Sequence, residues 1–200
     1  NNRVNPTLTE TSTFTLAVSD GLVGINTSNA TTTVISTSIN DAPSVSAGTA
    51  SQAVGDNATI SPFSTMTIGD ADMAQSLTIT VGLSSAANGA FTSASLSASG
   101  FTQTNSATYS FSGTSAAAQA AIRALVFQPT NNAVAVGSTQ TTTFTVTVGD
   151  AIASDVSDAN TTAISTSIND DPTIGGASSS QAVNDNATLA PFASLTIDDV

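Results

Sequence analysis

The side chains able to do chemistry in this chain are almost all carboxylates. Fourteen of its 200 residues are acidic, two (Arg3 and Arg123) are basic, and none is histidine or cysteine. Glu10 is the only glutamate. The other acids are aspartates, whose short side chain bonds its own backbone in turns and brings an oxygen close to a hard cation. Many stand in short groups with Asn or Gly: Asn40-Asp41, Gly69-Asp70-Ala71-Asp72, Gly149-Asp150 and Asn169-Asp170. Oxygen ligation of calcium, which takes roughly six to eight carboxylate and carbonyl oxygens, is the chemistry open to them. The competing reading is that these residues serve turns and caps, with Pro43 and Pro172 stiffening the chain between folded bodies.

Other chemistries lack their parts. Without histidine there is no Ser-His-Asp or Cys-His nucleophile system and no histidine metal site. Without cysteine there is no disulfide or zinc–thiolate centre, and without lysine no Schiff base or Walker A loop. Paired carboxylates suit glycoside hydrolysis, but these aspartates fall in turn contexts. The chain is therefore expected not to be an enzyme. A net charge of −12 opposes nucleic acid or an anionic membrane as partner. Only 8% of residues are charged, against about 25% in ordinary soluble domains, so the polar surface is Ser, Thr, Asn and Gln. That composition fits an extracellular or cell-surface protein, and the absence of cysteine leans towards a bacterial one. No apolar run approaches the roughly 20 residues of a membrane span. Any export signal or anchor is expected outside these residues.

The acidic groups recur because the sequence repeats. Ser36-Thr37-Ser38-Ile39-Asn40-Asp41 returns 129 residues later as Ser165-Thr166-Ser167-Ile168-Asn169-Asp170. Ser51-Gln52-Ala53-Val54, Asp56-Asn57-Ala58-Thr59 and Pro62-Phe63 return at the same spacing, and Thr13-Phe14-Thr15 returns at 130. A fixed period of this length marks an array of folded units. The expected division is the last third of one repeat over 1–41, a complete repeat over 42–170, and the start of another over 171–200. Head and tail together lack the segment equivalent to about 72–130, so exchange between molecules cannot build a whole domain from them.

Within the complete repeat, apolar residues alternate with Ser, Thr or Gly. Leu77, Ile79, Val81 and Leu83 form one such row, Tyr109 and Phe111 another, and Phe144, Val146 and Val148 a third. Each predicts a strand with one face in a core and one in water. Gly69-Asp70, Asn88-Gly89, Ser99-Gly100 and Gly149-Asp150 separate them as turns. One stretch departs from the alternation: Ala118, Ala121, Ile122 and Leu125 share a helical face behind Thr114 or Ser115 as N-cap. The expectation is all-β, a two-sheet sandwich with one short helical crossover near 114–125.

The junctions carry a family resemblance. Ile39-Asn40-Asp41-Ala42-Pro43 and Ile168-Asn169-Asp170-Asp171-Pro172 resemble the Asn-Asp-x-Pro linker of tandem cadherin and bacterial cadherin-like (immunoglobulin-like) repeats. Asp70-Ala71-Asp72 is similar to that family's Asp-x-Asp loop, and Val148-Gly149-Asp150 to its acidic turn before the last strand. The Ala-rich helix leading to Leu125-Val126-Phe127-Gln128-Pro129 is similar to a subgroup found in very large bacterial surface proteins. The resemblance implies calcium between successive domains. Carried over by residue, it nominates Asn40, Asp41, Asp70, Asp72 and Asp150 at the first junction, with Glu10 from the preceding base. At the second it nominates Asn169, Asp170 and Asp199. Gln140 stands where Glu10 stands one repeat earlier, so the second site is expected to be weaker.

The function this implies is a stalk or spacer segment of a large, secreted, adhesin-like surface protein, its neighbouring repeats held rigid by calcium. The alternative is a segment of a self-assembling extracellular fibre or surface layer, with other copies as partners. A ligand-binding module is a third reading. It is disfavoured because Tyr109 and the Phe residues occupy mostly inward strand positions.

Overall fold

The structure is a computed structural model describing residues 4–23, 26–72 and 75–199. In chain order the strands and helices are β1 (Thr9–Ser19), β2 (Asn26–Thr37), β3 (Ser44–Ser46), β4 (Gln52–Gly55), β5 (Thr67–Gly69), β6 (Leu77–Leu83), β7 (Gly89–Phe91), α1 (Ser93–Ser99), β8 (Thr102–Asn105) and β9 (Thr108–Gly113). They continue as α2 (Ser115–Arg123), β10 (Phe127–Pro129), β11 (Thr139–Gly149), β12 (Val156–Thr166), β13 (Thr173–Gly175) and β14 (Thr196–Asp198). The protein is thus mostly β.

The alternating rows become the main sheet, in the order β4-β12-β11-β6-β9-β8. Its neighbours are antiparallel except β4 and β12, which run parallel. One face carries Leu77, Ile79, Val81, Tyr109, Phe144, Val146 and Val148, all fully buried, while Thr78, Thr80, Thr145 and Thr147 lie between them on the other face. Period-2 patterning has this consequence because successive strand side chains point to opposite faces.

The layer over the apolar face differs from the second sheet that the alternation leads one to expect. It consists of two short strand pairs, β3 with β5 and β7 with β10, together with α1 and α2. A single bridge, Ile60 to Phe127, links the segment before β5 to β10. Phe63, Phe91 and Phe127 descend from this layer onto Phe144 with ring centroids 5.1–5.9 Å from it. Gly89 is needed at the β7–β10 contact. Its φ is +144°, and a Cβ there would collide with the Gln128 carbonyl oxygen.

The Ala-rich stretch forms α2. Thr114 Oγ1 accepts from the Ala117 amide at 3.3 Å, and Ala118, Ala121 and Ile122 are buried. Arg123 at its end donates from Nε to the Met66 carbonyl at 2.7 Å. One helical crossover is an undercount, however, because α1 is a second helix among the described residues. Its Ser-Ala-Ser-Leu-Ser-Ala-Ser sequence alternates like a strand. The structure resolves it as a helix through its caps: Thr92 Oγ1 accepts from the Ser95 amide, and Gly100 closes the end at φ +77°.

The two ends of the chain reproduce pieces of this body. Hairpin β1–β2 has the register of β11–β12, with the same irregularity between Phe14 and Leu16 as between Phe144 and Val146. The pair β13–β14 matches β3–β5. Burial is what differs. Phe14 is 55% exposed where Phe144 is fully buried, and Phe192 is 74% exposed where Phe63 is 1%.

Candidate metal centre at the 40–43 linker

The segment from β2 to β3 passes between two acidic loops and is hydrogen-bonded to both. The Asp41 amide donates to Asp72 Oδ2 at 2.8 Å, and Asn40 Nδ2 donates to Asp150 Oδ2, also at 2.8 Å. Asn40 Nδ2 additionally donates to the Asp41 carbonyl at 3.1 Å, and Pro43 is buried. Each loop is shaped by its own aspartate. Asp70 Oδ1 accepts from the Asp72 amide at 2.8 Å, while Asp150 Oδ1 accepts from the Ile152 and Ala153 amides, each at 2.8 Å. Strands β5 and β6 flank the first loop, and β11 leads into the second, so the main sheet and its covering layer position both.

Four carboxylates, those of Asp41, Asp70, Asp72 and Asp150, are carried by this linker and the two loops bonded to it. Asp72 and Asp150 are buried, Asp70 and Asn40 are half-buried, and Asp41 is exposed. Partial burial, with the charges of Asp72, Asp150 and Asp41, pushes the Asp70 carboxyl above the usual carboxylate range, although the Asp72 amide pulls the other way. Burial also raises Asp150, but the Asn40 amide and the two loop N–H groups outweigh it and leave that carboxyl below the range. Asp70 Oδ2 is itself buried without a hydrogen-bond partner.

A hard cation fits that donor set. An orphaned carboxylate oxygen held up by neighbouring negative charge is the condition a divalent ion relieves. As placed, no three acidic side chains among the described residues are drawn together tightly enough to hold a metal. The residues that would hold one are Asp70, Asp72 and Asp150, with Asp41 and Asn40 from the linker. Gln75, absent from the sequence-based set, belongs with them. Its Nε2 donates to Asn40 Oδ1 at 2.9 Å, and its Oε1 is buried without a partner. The signal available for it was an amide side chain three residues beyond Asp72.

The remaining nominated residues are placed elsewhere. Glu10 lies half-buried on β1 opposite Ser36, within the hairpin and not on the loops around the linker. At the second junction Asn169 Nδ2 donates to the Asp170 carbonyl at 2.9 Å, as Asn40 does to Asp41. Asp170 Oδ2 accepts from Asn131 Nδ2 at 3.0 Å and Asn132 Nδ2 at 2.8 Å. Asp199 is exposed after β14 and is joined to neither.

Asp56 is a buried acid whose structural role spacing alone did not mark. Buried beside β4, its carboxylate accepts from the Asn132 amide at 3.0 Å and from the Ile168 amide at 3.1 Å. Burial raises its carboxyl, but these bonds outweigh burial and hold it below the usual range. It fixes the point where the chain leaves the body. Its recurrence as Asp185 was visible in the sequence, but the partners were not.

Among the described residues no helix is long and apolar enough to cross a membrane. No family model matches the chain, and no curated protein matches it.

Proposed function

We propose that this chain is a spacer segment of a large secreted surface protein of the adhesin-like bacterial class that its cadherin-like linkers resemble, with calcium at the junctions setting the angle between successive repeats. On this reading 42–170 is one complete repeat, 1–41 ends the one before it, and 171–200 begins the next. The observation that carries the proposal is the linker at 40–41, hydrogen-bonded to two acidic loops of the following body beside an unpartnered Asp70 oxygen. Four carboxylates from a linker and two loops repel when bare, and a shared cation turns that repulsion into a tie. Each repeat adds about 45–50 Å of reach, taking two strand lengths of roughly 17–20 Å plus turns and linker.

The test is the shape of a chain of several repeats in solution. Small-angle scattering in calcium should give a longer, narrower particle than in chelator, and Asp72→Ala at every junction should give the chelator profile in calcium. Identical profiles in all three conditions would defeat the proposal.

A further inference from the structure

Charge is spread unevenly over the folded body. Between Asp72 and Asp150 the sequence holds no acid and a single base, Arg123. That span supplies β6 to β11 with both helices, so one half of the main sheet, β6-β9-β8, carries no carboxylate. The acids of the body lie instead at its entry and exit and beside β4 and β12, where Asp56, Asp155 and Asp158 stand. The helices follow the same rule. A helix in contact with water ordinarily turns charged and polar residues outward. Helix α2 and its cap instead present Ala116, Ala117, Ala120 and Ala124, all exposed, and α1 presents Ser93, Ala94, Ser97 and Ala98.

Strand β8 is the outer edge of this uncharged half. It ends the order β4-β12-β11-β6-β9-β8, and among the described residues only β9 pairs with it. Thr102, Gln103, Thr104 and Asn105 are all exposed. An open edge presents unpaired N–H and C=O groups that take up another strand unless charge, proline or distortion blocks it. Strand β8 has neither charge nor proline, and its one distortion is the irregularity between Gln103 and Asn105. The edge also faces sideways. The 40–43 linker enters where β11 ends and β6 begins, and the chain leaves at the opposite end of the sheet, after β12. Both linkers thus attach at strand ends, and neither lies along β8.

We infer that β8 is a pairing edge between two copies of this chain. The β8 strand of one copy adds antiparallel to the β8 strand of the other about a two-fold axis, continuing the main sheet across the pair. A second copy is the occupant that the charge favours. Each chain carries −12, so two copies repel least when they meet through their uncharged halves. The same surface serves on both sides, so the contact is isologous and closes at two copies. Antiparallel pairing also sets the two chains running in opposite directions. A four-residue strand with one irregularity makes a short ladder, so the association is weak and reversible. The inference uses the body alone and depends neither on calcium nor on the repeat reading.

Sedimentation velocity of the full 200-residue chain tests this, run in chelator so that no ion bridges the acids and over a hundredfold range of concentration. The expected result is a monomer–dimer equilibrium that tightens as salt is raised. Salt screens the repulsion between two negative chains, and the contact itself contains no ion pair to lose. Gln103→Lys sets like charges close to the axis and should weaken the dimer by about tenfold or more. Ser157→Lys, at an exposed position on β12, changes the net charge equally and should leave the dimer at least as tight. Both positions are exposed, so neither change disturbs the body. In this cysteine-free chain, Gln103→Cys should oxidise to a cross-linked dimer and Ser157→Cys should not. A chain that stays monomeric at every salt concentration, growth beyond the dimer, or association that salt weakens would overturn the inference. Equal effects of the two lysines, or equal cross-linking of the two cysteines, would overturn it as well.

Discussion

Replacing Tyr109 with Phe should stabilise the body. Tyr109 sits on β9 in the main sheet, paired with Val81 on one side and Gln103 on the other. It is fully buried, with its ring edge-on to Phe91 at 4.9 Å. Its hydroxyl is also buried and has no hydrogen-bond partner. A hydroxyl in that state forfeits its water without recompense, at a cost of about 1–3 kcal/mol. Phe keeps the ring, the edge-on contact and nearly the same volume, so the void left by one oxygen takes back only a fraction. The net gain is about 1–2 kcal/mol, equivalent to roughly 3–8 °C in Tm for a body of this size. Tyr109 is the only tyrosine and there is no tryptophan, so the variant loses its intrinsic fluorescence signal. Urea unfolding followed by far-UV circular dichroism is the suitable assay, with an unchanged m-value as evidence that the same surface unfolds. A loss of 1 kcal/mol or more would refute the reasoning, because it would mean that the hydroxyl has a partner, such as a buried water, whose bond outweighs the cost of burial.

Four further outcomes follow from the junction, the chain's exit and the covering layer. Calcium at a hundred times its dissociation constant should stabilise the linker-proximal part of the chain by about 2.7 kcal/mol relative to chelator, and Asp72→Ala should abolish that difference in calorimetry. Asp70→Asn should have opposite effects in the two conditions. In chelator, the raised carboxyl of Asp70 means that stability falls as pH rises through its folded value, so the neutral amide should raise Tm at neutral pH; in calcium it should lower it. Asp150 and Asp56, held below the usual range, contribute stability above it that is lost as pH falls through their folded values, so acid unfolding should begin there. Gly89→Ala should cost about 2 kcal/mol or more by forcing β7 from β10, whereas Gly137→Ala, with nothing within 4 Å of its Cβ position, should cost only the roughly 1 kcal/mol of a left-handed backbone.

How much of this was legible in the sequence depends on the range of the contacts involved. The rows at Leu77–Leu83 and Phe144–Val148 declared their strands because alternation is written locally. Helix α2 was legible from Thr114 and the spacing of Ala118, Ala121 and Ile122. Helix α1 was not, because alternating Ser and Ala carry little hydrophobic periodicity; its caps, Thr92 and Gly100, were the readable part. The second layer was expected as a sheet, but three-residue strands such as β7 and β10 are set by what they cover and not by their own pattern. At the junction, the linker and the Asp-x-Asp loop pointed to each other by resemblance. Gln75 and Asp56 act through partners 35 and 112 residues away, and no local signal encodes that. The clearest case is Gln-Ala-Val, which is strand at 52–54 and unpaired at 181–183. Local propensity permits the strand, and a neighbouring edge decides it.

The two ends of the folded body solve the same electrostatic problem differently. Where the chain leaves the body, Asp170 receives two amide donors from Asn131 and Asn132, and Asp56 receives backbone N–H groups from Asn132 and Ile168. Both of these acids are matched by neutral donors of the same body. Where the chain enters, Asn40 and Gln75 supply amide groups, yet Asp70 Oδ2 and Gln75 Oε1 remain buried and unpartnered. Both are acceptor oxygens, so the shortfall on the entry side is of positive charge and donors, whereas the unpartnered atom at the exit is the Ser167 hydroxyl. On the proposed reading this asymmetry assigns the cation's work. The exit of each repeat is a rigid part of its own fold, and the ion acts only where the next body receives the linker. Adding calcium should therefore slow hydrogen exchange at Asp41 and the 70–72 loop and leave the amide of Ile168 unchanged. Equal protection at both places would contradict the division.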